Sequence, residues 1–265
     1  MGAFYTNVTL NGPEQDEVAQ YIASRNRQSL VSPAIDGITV VYDALTESQD
    51  PRLLTNLARE LSAQFDCPAL AALNHDGDIL WLQLQIDGRL IDEYDSTPGY
   101  FEDVPPSGPE GGDADALRHA FESEDRSEEI ERILRRRQGM GGFVSASQRH
   151  TRLAEALGIP SELVTIGYEY LAAGEVPPGY SAEDFVHTGP VPQAPMRTMG
   201  PMGGQAGPGA PPPPGGAHVH IGPAPGGGCC GCLLAPLLIP LGLAMSAWSA
   251  WMMRRHADHM RDGRQ

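Results

Sequence analysis

Two short stretches carry the side chains best equipped for chemistry. "LNHDGDILW" sets Asn74, His75, Asp76 and Asp78 around a tight turn, and "DEYDSTPGYFED" sets Asp92, Glu93, Tyr94, Asp95, Tyr100, Phe101, Glu102 and Asp103 at a strand end and the loop after it. An imidazole beside carboxylates is the equipment of general acid–base catalysis, and clustered carboxylates also bind hard cations. His75 and Asp76 are therefore the candidate catalytic groups of a small hydrolase-type enzyme. The competing reading is turn chemistry, because Asp-Gly is what a tight hairpin needs and the stretch lacks the glycine and final glutamate of a calcium loop. Strand alternation sends Asp92 and Tyr94 to one face and Glu93 and Asp95 to the other, so these groups do not all converge on one substrate. The same residues, with Tyr100 and Phe101 beside them, are instead the expected docking surface for a partner.

A third cluster lies far downstream: His218, His220, Cys229, Cys230 and Cys232. Thiolates and imidazoles suit zinc or copper(I), which makes a metal-handling protein a further alternative. The spacing H-x-H-x8-C-C-x-C fits none of the usual zinc patterns, and acylation or plain packing of small residues competes with it.

Other chemistries drop out. The chain contains 18 basic residues and every one is arginine. Without lysine there is no Schiff base, no P-loop lysine and no kinase strand lysine. No serine sits in a nucleophile elbow, there is no H-E-x-x-H, and "GGFVSAS" lacks the strand and lysine of a phosphate loop. Cys67 stands between Asp66 and Pro68, an acidic setting that disfavours its thiolate. No cofactor is expected, and the balance favours a non-catalytic binding or regulatory module over an enzyme.

The elements that must hold these residues follow from pattern. Phe4, Thr6, Val8 and Leu10 alternate as one face of a first strand, and Pro13 with Glu14, Asp16 and Glu17 opens a helix. "QSLVSP" and "GITVVYD" read as a hairpin. Asp50 caps and Pro51 starts a helix with Leu53, Leu54, Leu57, Leu61 and Phe65 on its stripe. "CPALAALN", "DILWLQLQI" and "RLIDEYD" form a meander, its second turn made by Asp87 and Gly88. The order predicts an α+β domain with a mainly antiparallel sheet, ferredoxin-like βαββαβ extended by the meander. Helical patterns follow at about 113–122, 127–137, 145–158 and 161–173. Arg135, Arg136 and Arg137 at the end of the second complement its dipole, with a phosphate site as the sharper alternative.

The run from "FYTNVTLNGP" through "VVYD", "CPALAALNHDGDILWLQL" and "DEYDSTPGYF" resembles a family of uncharacterised bacterial α+β proteins. The resemblance covers about the first 190 residues. It implies no activity, cofactor or catalytic residue.

Charge divides the chain. Residues 1–188 hold 32 of the 34 acidic residues against 13 arginines, so this expected globular domain carries a net charge of −19. Such a domain repels phosphate backbones, which excludes nucleic acid as its partner and favours a cationic protein. Its lone cysteine points to a reducing compartment, and no basic-then-apolar signal opens the chain, so a cytoplasmic domain is expected. In residues 189–228, 23 of 40 are glycine or proline, the composition of a disordered linker. Residues 229–253 are 25 uncharged positions, enough for a transmembrane or anchoring helix although Pro236 and Pro240 interrupt it. Trp248 and Trp251 precede Arg254 and Arg255 at the start of the polar tail 254–265, the order expected at a membrane boundary. The expected location is the membrane, with the acidic domain on its cytoplasmic side.

Overall fold

The opening alternation becomes β1 (Tyr5–Asn11), and the acidic run after Pro13 becomes α1 (Gln15–Ser24), whose first turn is closed reciprocally by Glu14 and Glu17. A computed structural model of the chain describes residues 3–100, 108–124, 126–139 and 141–189. β2 (Ser29–Val31), β3 (Ile38–Asp43), α2 (Pro51–Phe65) and β4 (Ala69–His75) complete a βαββαβ unit. Its strands lie in the order β4-β1-β3-β2 with antiparallel neighbours, the ferredoxin-like arrangement. The meander β5 (Ile79–Ile86) and β6 (Arg89–Asp95), with the two-residue β7 (Glu110–Gly111), extends the β4 edge, and β8 (Val186–Thr188) extends the β2 edge. The result is an eight-stranded antiparallel sheet in an α+β fold.

Local chemistry explains the boundaries. The Asp50 side chain accepts the Arg52 N–H at 3.0 Å and Pro51 supplies the first helical residue of α2. Asp87 and Gly88 turn the β5–β6 hairpin with φ of 51° and 71°, both left-handed as a type I′ turn requires. Gly88 is also needed for space, since an added Cβ would sit 2.7 Å from the Ala63 Cβ of α2.

Helices α1 and α2 cover one face of the sheet, where Val8, Leu10, Val18, Ile22, Leu54, Leu57, Leu61 and Trp81 pack together. The other face is covered by α3 (Ala114–Ala120), α4 (Ser127–Arg135), α5 (Ala146–Leu157), α6 (Ser161–Val164) and α7 (Tyr168–Ala172). Burial on both faces explains why β1 is inaccessible on its polar positions as well as its apolar ones, so that Thr6, Asn7 and Thr9 are all buried.

Two details depart from the sequence pattern. Leu53 is 38 % exposed, because the buried stripe of α2 runs through Leu54, Leu57, Ala58 and Leu61 and residue 53 lies one helical step outside it. The helical pattern at 161–173 is broken into α6 and α7. The break falls at Gly167, where an added Cβ would lie 2.5 Å from Glu47 Oε1 and 2.9 Å from the Tyr5 Cβ. Apart from Gly189, the expected linker, apolar segment and polar tail lie outside the described residues. Among the described residues, no helix is long and apolar enough to cross a membrane.

Candidate functional site

His75 ends β4 and Asp76 and Gly77 turn the chain with φ of 53° and 71°. Strand alternation sends His75 and Asn74 to opposite faces of the sheet. His75 Nδ1 is 2.6 Å from Gln49 Oε1, and its ring meets Phe4 edge-on at 5.0 Å and Tyr100 at 6.5 Å. It is 8 % exposed, and burial lowers its pKa against the opposing pull of Asp76 and Asp78. The Tyr100 hydroxyl donates to Asp78 at 3.0 Å, so His75, Asp78 and Tyr100 share one corner. Asp92 pairs with Leu84, five residues along β5 from the Ile79 that pairs with His75.

The acidic strand end is occupied with local work. Asp92 accepts the Asp113 N–H at 2.7 Å at the entry to α3 and is held above the usual carboxylate range by burial. Asp95 accepts the Thr97 N–H at 2.9 Å in a tight turn, and Glu93 accepts from the Gln83 amide at 3.3 Å. Tyr94 belongs to the core: it is 1 % exposed and its hydroxyl donates to Leu134 O at 2.9 Å. Asp92 and Tyr94 thus serve the α3–α5 face, while Asp95 and Glu93 lie across the sheet opposite Trp81 and Gln83. Tyr100 is 39 % exposed at the edge of this surface. Phe101 lies outside the described residues, as do His218, His220, Cys229, Cys230, Cys232, Trp248, Trp251, Arg254 and Arg255.

A buried polar network lies on the other face. Asn74 donates to the Tyr5 hydroxyl at 3.3 Å and to Ser147 Oγ at 3.2 Å, and the Tyr5 oxygen is 3.0 Å from His150 Nδ1. Desolvation alone pulls the His150 pKa down to about 4, so the imidazole is neutral at physiological pH. Beside it on α5, Arg149 is fully buried and donates through Nη1 to the Tyr94 hydroxyl and to the carbonyls of Ile133 and Leu134 at 2.7–3.0 Å. It closes the end of α4, where carbonyls lack helical partners and the dipole is negative. The signal for both residues was present in the sequence: Arg149 stands four positions before Leu153 and His150 four positions before Ala154, on the helix's apolar stripe.

Glu47 is the other group that pattern reading passed over. Its Oε1 accepts the Tyr168 N–H at 2.9 Å and the Thr6 hydroxyl at 3.5 Å, joining the loop before α2 to the start of α7. Burial raises its pKa to about 7, with Glu169 adding to the rise and these hydrogen bonds opposing it.

Arg135 pairs with Glu131 and donates to the carbonyls of Gly111 and Gly112, and Arg136 donates to Gly141 O, so two of the three consecutive arginines are engaged by backbone. Cys67 is buried and its thiol is pushed up to about 12, first by burial and then by Asp66 and Asp87. Among the described residues, no group of three or more His, Cys, Asp or Glu side chains is arranged to hold a metal ion. Three surface cavities of about 450, 400 and 500 Å³ lie against α3 and α5, against α6 and α7, and between α3 and α4, and none is lined by His75, Asp92 or Asp95. No family model, curated protein or solved structure matches the chain, so its function has to be read from the arrangement of its own residues.

Proposed function

We propose that the chain is a membrane-tethered binding or regulatory module in which an acidic cytoplasmic domain is carried on a proline- and glycine-rich leash. The observation that carries the reading is the 25-residue uncharged run 229–253, with Trp248 and Trp251 just ahead of Arg254 and Arg255. A stretch of 40 residues with 23 glycines and prolines would span roughly 35 Å if it behaves as a flexible leash, and so would concentrate the domain near membrane-associated partners. A net charge of −19 on residues 1–188 favours a cationic protein partner and disfavours nucleic acid. A binding role is favoured over the acid–base alternative because the groups that alternative would use are engaged locally: His75 is enclosed by Gln49, Phe4 and Tyr100, and Asp92 and Asp95 accept backbone N–H groups. The rim beside Tyr100 and Asp78 is the first surface on which to look for that partner.

Fractionation tests the tether. The full chain should sediment with membranes and be released by detergent, whereas a chain ending at Gly189 should remain in the supernatant. Gly189 is the right endpoint because the Thr188 hydroxyl donates to Arg27 O at 3.0 Å and fastens β8 to the sheet. Cytoplasmic protease should remove the domain from intact vesicles. Recovery of the full chain as a freely soluble monomer without detergent would refute the tether, and protection of the domain from protease would reverse its orientation.

A further inference from the structure

We propose that the cleft between the start of β1 and the α6–α7 region binds a basic side chain presented by a peptide segment of a protein partner. The cleft measures about 400 Å³, within the range of ligand sites. Ile166 and Pro177 line it with apolar surface, Tyr170 adds an aromatic ring, and the buried Tyr5 lies beneath them. Tyr5 is 1 % exposed and its hydroxyl is fixed by His150 and Asn74, so this part of the lining is rigid before any ligand arrives.

Among the described residues, Glu162 and Glu175 are the only charged ones lining the cleft, and neither joins an ion pair. The contact Glu162 does make is a 3.5 Å hydrogen bond from the Tyr180 hydroxyl. Carboxylates beside an aromatic ring and an apolar wall are complementary to a guanidinium or ammonium on an apolar stem, which gains charge-assisted hydrogen bonds and a cation–π contact together. An anion is repelled by both glutamates and by the −19 domain, whose field draws cations toward it. A peptide fits better than a free amine because the cleft is open to solvent rather than enclosed, and a small ligand would leave much of its surface wet. The assignment rests on the folded domain alone and is independent of the membrane tether.

The test titrates full-length protein in neutral detergent with acetyl-Gly-Trp-Arg-Gly-amide and with its Arg→Gln analogue, read by saturation-transfer NMR. The arginine peptide should bind about tenfold or more tighter, the value of one charge-assisted hydrogen bond, and the gap should narrow as salt is raised. Glu162→Gln with Glu175→Gln should close the gap, and Tyr170→Ala should weaken the arginine peptide several-fold. Leu90→Ser on β6 should leave it unchanged, with circular dichroism confirming that each variant is folded. Equal binding of the two peptides, no binding at millimolar concentration, or a gap that survives the double substitution overturns the proposal. Binding of benzamidine without the arginine peptide also overturns it, in favour of a small-cation site. None of these results bears on fractionation, so failure of the cleft and failure of the tether are separable.

Discussion

Replacing Glu47 by glutamine removes a carboxyl whose folded-state pKa is about 7 against an ordinary value of 4.5. Because the folded protein holds this proton more tightly than the unfolded chain, Glu47 contributes its full stability below about pH 4.5 and loses it as pH rises through 7. A shift of about 2.5 units corresponds to roughly 3 kcal/mol, and partial solvent access lowers the expected value to about 2–3 kcal/mol. Glutamine imitates the protonated acid, since its carbonyl oxygen still accepts the Tyr168 N–H. The stability of Glu47→Gln minus that of the unaltered protein should therefore rise by about 2–3 kcal/mol between pH 5 and pH 8.5. Denaturant titration of the full chain in neutral detergent, followed by far-ultraviolet circular dichroism at several pH values, measures this difference, and groups unaffected by the substitution cancel from it. Parallel stability curves would refute the argument, for they would mean that Glu47 is ionised without penalty in the folded protein. A second buried group, which cancels from this difference, shapes each curve by itself. His150 has a folded-state pKa of about 4 against 6.5 unfolded, so its contribution is complete above pH 6.5 and is lost as pH falls toward 4. Glu47 and His150 contribute slopes of opposite sign between about pH 4.5 and 6.5, so with the Glu47 titration removed the glutamine variant should lose stability more steeply toward acid than the unaltered protein.

Gly167→Ala should cost at least about 2 kcal/mol in the same titration, because the new Cβ would meet Glu47 Oε1 at 2.5 Å and Tyr5 at 2.9–3.1 Å. Arg149→Ala should cost about 3–5 kcal/mol by removing the donor to the Ile133 carbonyl and leaving a cavity behind, while Leu134 O keeps the Tyr94 hydroxyl. Arg149→Met, which refills the volume, should cost less, and equal losses would contradict the packing argument. Cys67, 4 % exposed with its thiol pushed up to about 12, should resist iodoacetamide until the domain unfolds, which peptide mapping by mass spectrometry would detect residue by residue.

The order of elements was legible because each depends on neighbours in sequence. Asp50 and Pro51 start α2, Asp87-Gly88 turns a hairpin, and the succession strand, helix, two strands, helix, strand leaves few antiparallel arrangements other than β4-β1-β3-β2. The charge partition, the absence of lysine and the opposite facing of Asp92 and Glu93 also follow from residue type and a period of two. Which face of the sheet is covered was not legible. α3 to α7 close over the second face through contacts more than a hundred residues apart, such as Asn7 to Val164 O and Tyr5 to His150. That closure decides the chemistry: it neutralises His150, gives Glu47 a pKa near 7, buries Arg149 at a helix end and forms the cleft edged by Glu162 and Glu175. A side chain's identity fixes what it can donate or accept, but desolvation depends on what is packed around it, and that is a property of the folded chain.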